Sequence, residues 1–298
     1  MTQGNTLNEA VEGNAPRVRE SRRFLRIFFG RGIVIFGLVF ILLFIIVAIF
    51  APFIVPYDPY EANMSEALAN PSTHHLLGTD SLGRDTLSRL IYGTRNSLMV
   101  GVVAVFASAL IGMTMGLMAG YFSGWTSIVI MRVVDSLMSF PQLLLALVIA
   151  AVLGGGLFNV MIALGVGMLP PYARLMFGQV LSIKENDYVL AARSVGASNM
   201  GIIFRHVVPN CVPSLIVLMT MQIGAAILNE AGLSFLGVGI EPPAASWGLM
   251  VNDGRMYLMT NPVLSFAPGL AIMLSVFSFN MVGDGLRDAL DPKLRGVI

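Results

Sequence analysis

The sequence is short of the residues that chemistry needs. Cys211 is its one cysteine, so no disulfide can form within the chain and no redox compartment can be read from it. At the start of an apolar run it reads as a small buried residue. Only two lysines are present, Lys184 after Ile183 and Lys293 after Pro292, and neither follows a glycine. A glycine-rich loop ending in Gly-Lys is therefore excluded, and with it a P-loop for nucleotide phosphates. Gly165-Val166-Gly167 lacks the third glycine and the strand–helix setting of a dinucleotide fingerprint. His74 and His75 are adjacent, have no further ligands at metal spacing, and read as exposed. Scattered serines and histidines do not make a triad. Charged residues are 12% of the chain and the net charge is +1, which leaves no basic surface for nucleic acid. We therefore expect no catalytic residue, no metal site and no cofactor in this chain.

What the chain has is apolar length. It is 56% hydrophobic over 298 residues, with a mean hydropathy of +0.78, too apolar for a soluble domain of this size. A spanning helix takes about 20 apolar residues, and six segments qualify: 33–55, 97–119, 134–153, 157–176, 212–232 and 264–283. The polar, basic stretch before the first run is too long, and the run itself too extended, for a cleaved signal peptide. Arg17, Arg19, Arg22, Arg23, Arg26 and Arg31 crowd that approach and place it in the cytoplasm by the positive-inside rule. Alternation then puts fourteen of the Lys and Arg residues inside, with only Arg84, Arg89, Arg95 and Arg255 outside. The predicted fold is all-α, a polytopic bundle of six transmembrane helices with both termini cytoplasmic. The predicted division is a basic tail over 1–31, a first span over 32–56, an external elbow over 57–96, a five-helix core over 97–283 with a cytoplasmic loop at 183–211, and a tail over 284–298. Residues 1–16, polar and without hydrophobic period, read as disordered.

The spans carry their own signals. Ala104, Ser108, Gly112, Gly116 and Gly120 put a small residue at every fourth position of the second span, a ridge on which another helix can lie close. In the third, Arg132 and Asp135 share a face and are expected to pair near the cytoplasmic end, with a kink at Pro141. Gly165, Gly167, Pro170 and Pro171 should weaken or break the fourth span, and interrupted helices often line translocation pathways. Glu230, near the outer end of the fifth span, is a pathway candidate because a buried intramembrane acid needs a partner. Trp247 reads as an interfacial anchor. In the elbow, Thr79 or Asp80 can cap a short helix along whose surface Arg84, Asp85 and Arg89 interact.

The polar loop DYVLAARSVGASNMGIIFRHVVPN, residues 187–210, joins two of these runs. Asp187 can cap a first short helix, Gly196 permits a turn or a close approach, and Pro209 should stop a second helix. Its spacing resembles the EAA loop of ATP-binding-cassette importer permeases: Glu-Ala-Ala, three residues, Gly, nine residues, Ile-x-Leu-Pro. Ala191, Ala192, Gly196 and Pro209 match. Leu190 stands in place of the Glu, His206 of the Ile and Val208 of the Leu. The segments LLGTDSLGRDTLSRLIYGTRNSL, NEAGLSFLGVGIEPPAASWG and GDGLRDALDPKLRG resemble the C-type permease of the dipeptide, oligopeptide and nickel importer group.

That resemblance implies a multi-pass inner-membrane subunit of an ATP-driven importer, translocating short peptides by alternating access. It implies as partners a second homologous permease, two ATPase subunits carrying ATP and Mg, an external substrate-binding protein and membrane lipid. Leu190, Ala191, Ala192, Gly196 and Pro209 are then the residues of the ATPase-coupling helix. Import of nickel or another small solute by the same permease type is one alternative. An ion-gradient-driven carrier is another; it would require paired intramembrane acids or inverted repeats, and neither stands out in the sequence.

Overall fold

The computed structural model describes residues 20–290, and among them helices are the only regular structure. Helix α1 (Glu20–Phe29) is amphipathic, and its Phe28 is buried in a cluster with Val34, Phe279 and Val282. The basic stretch thus enters the fold as a helix lying on the last span. Residues 1–16, together with Arg17, Arg19, Lys293 and Arg295, lie outside the described residues. After Gly30, α2 (Gly32–Ile54) is apolar on every side and exposes Phe36, Leu42, Ile46 and Phe53, a composition suited to lipid. An ion pair between Arg31 and Asp288 ties its start to the end of the chain's last helix.

The bundle centre is α3 (Thr86–Phe122) laid along α6 (Leu157–Lys184). Leu164, Met168, Tyr172 and Met176 of α6 are fully or almost fully buried there. A Cβ added at Gly112 would stand 2.6 Å from the Leu169 carbonyl oxygen and one at Gly120 would stand 2.8 Å from Val180 Cβ, so a side chain at either position would force the helices apart. Ala104, Ser108, Gly112, Gly116 and Gly120 all face this seam and are buried. Helices α9 (Val208–Phe235) and α11 (Val263–Leu290) complete the bundle. Five helices are long and apolar enough to cross a membrane; α4 (Gly124–Met138) and α5 (Gln142–Leu153) together make a sixth, bent by 90° at their junction.

The break therefore falls in the third span, and the expected weakness of the fourth is corrected. Pro141 takes an extended backbone, φ −55° and ψ 129°, and the residues before it leave the helix. Pro170 and Pro171 lie inside an unbroken α6 because the ridge of α3 clamps the helix on both sides of them, the support that lets membrane helices carry proline. Two element limits also move. Helix α3 starts at Thr86, well inside the predicted elbow, and α11 continues to Leu290, into the predicted tail.

The external segment is a folded cap. Asp85, not Thr79 or Asp80, is the N-cap of α3, accepting from the Ser88 amide at 2.7 Å. Asp80 instead accepts from Arg84 Nε at 2.7 Å and lies 3.4 Å from Arg89 Nε. Arg84 and Arg89 are buried rather than on a surface, and Arg89 donates to the Pro59 carbonyl at 3.0 Å. His75, expected to be exposed, keeps only 11% of its side chain accessible, with Nδ1 2.9 Å from Asp85 and Nε2 3.5 Å from Glu66. Trp247, at the start of α10 (Trp247–Gly254), is fully buried and is a core residue instead of an interfacial one. Its indole donates to the Leu90 carbonyl at 3.2 Å and its ring meets Phe44 edge-on at 5.5 Å.

Candidate functional site

At the cytoplasmic end, Lys184 closes α6 by donating to the Gly120 carbonyl and to Ser123 Oγ, each at 3.1 Å, which fixes where the loop leaves the bundle. Helix α7 (Asp187–Ser194) follows. Its N-cap is Asn186 with no side-chain bond; Asp187 is the first helical residue, where its charge complements the helix dipole instead of capping. Val189 is the inward residue of α7, buried in one cluster with Ile202, Ile203 and Val207. Gly196, at φ +83°, ends the helix: its amide bonds to the Arg193 carbonyl at 3.0 Å and that of Ala197 to the Ala192 carbonyl at 3.1 Å. This is a Schellman turn, and the glycine is there for its left-handed backbone. Ser198 then caps α8 (Asn199–Ile202), and Asn199 accepts from the Tyr121 hydroxyl at 2.9 Å.

Pro209 does not stop the second short helix. From Asn199 the chain runs through a π-helical turn, Ile203–Val207, directly into α9. The amide of Val208 reaches back to the Ile203 carbonyl, five residues away, and the wider turn accommodates a proline with no amide hydrogen to give. Cys211 is buried at the start of the same helix, as its neighbours in sequence suggest.

The loop's inner face is thus fastened, while its outer face is open and apolar. Leu190 is 43% exposed, Met200 62%, Phe204 67% and Val195 85%. Ala191, Gly196 and Pro209 share this exposure, and Ala192 is half-buried beneath them. Exposed Arg193 and Arg205 flank the patch. Exposed large apolar side chains rimmed by charge mark a surface suited to contact with another protein or with lipid.

Within the membrane, the sequence candidates do not converge. Pro170 is buried against α3 and Pro171 is half-buried. Glu230 is fully buried where α3, α9 and α10 meet, accepting from Ser97 Oγ at 3.2 Å and Ser234 Oγ at 2.8 Å. A cavity of about 370 Å³ opens elsewhere, between α6, α9 and α11, bordered by Leu175, Pro213, Met221 and Arg287. Asp135 pairs with Arg174 on α6 and not with Arg132 of its own helix. Arg174 was the residue that sequence reading passed over, although its place inside an apolar segment was the signal that could have found it. Among the described residues no group of three or more His, Cys, Asp or Glu is arranged to hold a metal ion.

Residues 112–296 match the family described as binding-protein-dependent transport system inner membrane component, and residues 21–71 match the N-terminal TM domain of oligopeptide transport permease C. The chain belongs to this family of inner-membrane transport components and is a multi-pass permease of the ATP-binding-cassette importer class. It is 44% identical over 275 residues to the glutathione transport system permease protein GsiD of Pectobacterium atrosepticum, covering 92% of this chain and 91% of that one. To the protein of the same name from Escherichia coli O157:H7 it is 46% identical over 258 residues, 86% of this chain and 85% of the other. A chain of the MetNI methionine ABC transporter, solved in inward-facing conformations, shares the fold with a TM-score of 0.57 at 20% identity, over 69% of this chain and 98% of that chain. The family match sets aside the ion-gradient-driven carrier, and it makes the chain a transport component rather than an enzyme.

Proposed function

We propose that the chain imports a peptide-like solute, with short peptides and glutathione-like tripeptides as the substrate class. Kinship to permeases named for glutathione transport supports the substrate class. The observation that carries the mechanism is the exposed apolar knob of Leu190, Val195, Met200 and Phe204 on a fastened base. Such a knob suits the helix-in-groove mode of docking, and its partner in this reading is an ATPase subunit that holds ATP and Mg. Two ATPase subunits, a second permease and an external binding protein complete the assembly. Closure of the ATPase pair pushes the knob as a lever, and the bundles reorient between outward-open and inward-open states. Leu190, where the family pattern has an acid, makes the contact apolar at that point.

The test is reconstitution of the chain with the subunits that co-purify with it, in vesicles loaded with ATP. Uptake of glutathione and of dipeptides, dependent on ATP and on the external binding protein, is the expected result. A complex that retains ATPase subunits yet moves neither class of solute would overturn the substrate assignment and leave the coupling role standing.

A further inference from the structure

Inside the external cap, a cavity of about 20 Å³ lies where the elbow, α3 and α10 meet. Asp80 lines it from the elbow, Thr86 and Arg89 from the first turn of α3, and Asp253 and Gly254 from the end of α10. Gly254 lets α10 close over it, because a Cβ there would stand 2.6 Å from Ser265 Oγ of α11. Thr86 and Arg89 are each 1% exposed, and each brings a buried polar atom with no partner among the described residues. Two of the Arg89 nitrogens are engaged: Nη1 donates to the Pro59 carbonyl at 3.0 Å, and Nε lies 3.4 Å from Asp80. Nη2 is the nitrogen left over, and Thr86 Oγ1 is its counterpart at the start of the same helix. Asp253 is half-buried and has no ion-pair partner among the described residues. Burial raises its carboxyl above the ordinary value, while the charges of Arg89 and then Arg84 pull against that rise, so the carboxylate feels both arginines without touching either.

We propose that this cavity is a binding site for one water molecule, which accepts from Arg89 Nη2, bonds Thr86 Oγ1 and donates to Asp253, joining α3 to the end of α10. Three properties select the occupant. Its size is that of a single water, which needs about 10–15 Å³, and no organic group fits. Its charge is zero, because the two arginines Arg84 and Arg89 are balanced by the two carboxylates Asp80 and Asp253. Its hydrogen bonding runs both ways, because a guanidinium only donates and a carboxylate only accepts, and water is the small molecule that does both. A buried polar atom without a partner is costly, and one water satisfies two of them at once. Among the described residues no direct hydrogen bond or ion pair joins Thr86 or Arg89 to α10. The water is therefore the polar tie between these elements, and such a bridge is nearly as favourable as a direct bond. The site is independent of which solute the transporter carries.

Two measurements on the assembled transporter in detergent test this. A density map that resolves waters elsewhere in the cap should show one peak within hydrogen-bonding distance of Arg89 Nη2, Thr86 Oγ1 and the Asp253 carboxylate. No peak there overturns the proposal, and so does a peak ringed by oxygens at about 2.3–2.6 Å, which is a metal cation. The second measurement is thermal unfolding. Thr86→Val exchanges the hydroxyl for a methyl group, and loss of a water-bonded hydroxyl should lower the midpoint by about 2–4 °C. A midpoint that is unchanged or higher is the result for a hydroxyl that bonds nothing, and it overturns the site. Asp253→Leu removes the acceptor. The double variant Thr86→Val/Asp253→Leu should lose less than the two single losses added together, because either change already releases the shared water. Strictly additive losses would show that the two residues share no water and sink the idea. Where Asp253→Leu does not assemble, the map and Thr86→Val alone decide the matter.

Discussion

Gly196 shows how much one backbone angle decides. At φ +83° it sits where an L side chain costs about 1–2 kcal/mol, yet a Cβ there meets nothing within 4 Å of this chain. Gly196→Val should therefore insert normally while displacing α7, and substrate-stimulated ATP hydrolysis by the assembled transporter should fall. Gly196→Asn, which tolerates the left-handed region, should recover most of it; equal hydrolysis by wild type and Gly196→Val would count against a lever at this point. Glu230 behaves in the opposite way, inward and structural. Ser97, which holds it, also accepts the Trp247 amide at 3.2 Å, and Ser234 accepts that of Ile240 at 3.2 Å. Glu230→Leu leaves two buried hydroxyls without their acceptor and should destabilise the detergent-solubilised protein by about 1–3 kcal/mol, read from its thermal unfolding. Glu230→Gln keeps one acceptor and should lose less.

Among the elements, the external cap is the one with a pH-dependent tie. The hydrogen bond to Asp85 holds the His75 imidazolium above its ordinary value of 6.5, with Glu66 assisting and burial opposing. Because the folded value is raised, the stabilisation is complete below 6.5 and is lost as pH rises through the folded value. Limited proteolysis of the segment over residues 57–85 should accelerate across that rise, and His75→Gln should remove the pH dependence. Trp247 pins the start of α10 to α3 and α2. Trp247→Ala should cost about 3–5 kcal/mol, seen as a lower midpoint of thermal unfolding. The spans themselves were legible because each is a long, predominantly apolar run. The kink at Pro141 was legible too, whereas the continuity of α6 through Pro170 and Pro171 was not. Pro141 and the Pro170-Pro171 pair look alike in one dimension, and only the close packing of α6 on Gly112 and Gly120 separates them.

Across the whole molecule, the proposed function assigns ATPase docking to the cytoplasmic knob. Val195 and Phe204 are among its most exposed apolar residues, while Val189, Ile202 and Val207 fasten it from beneath. Phe204→Asp or Val195→Asp should therefore leave folding and insertion unchanged and reduce ATPase subunits recovered on co-purification; full recovery would remove the knob from the docking surface. The sequence alone determined that the chain crosses the membrane repeatedly, which side its basic residues occupy, and that a polar loop with small residues at family spacing lies in the cytoplasm. Those properties are set by composition and by order along the chain, because hydrocarbon thickness and charge bias act on each segment separately. Tertiary structure alone decided that Gly196 makes a turn, that Glu230 and Trp247 are core, that the fourth span stays unbroken, and that Asp135 meets Arg174 instead of Arg132. These depend on which helix lies against which, and contacts between residues 39 positions apart, as Asp135 and Arg174 are, leave no mark in local sequence pattern.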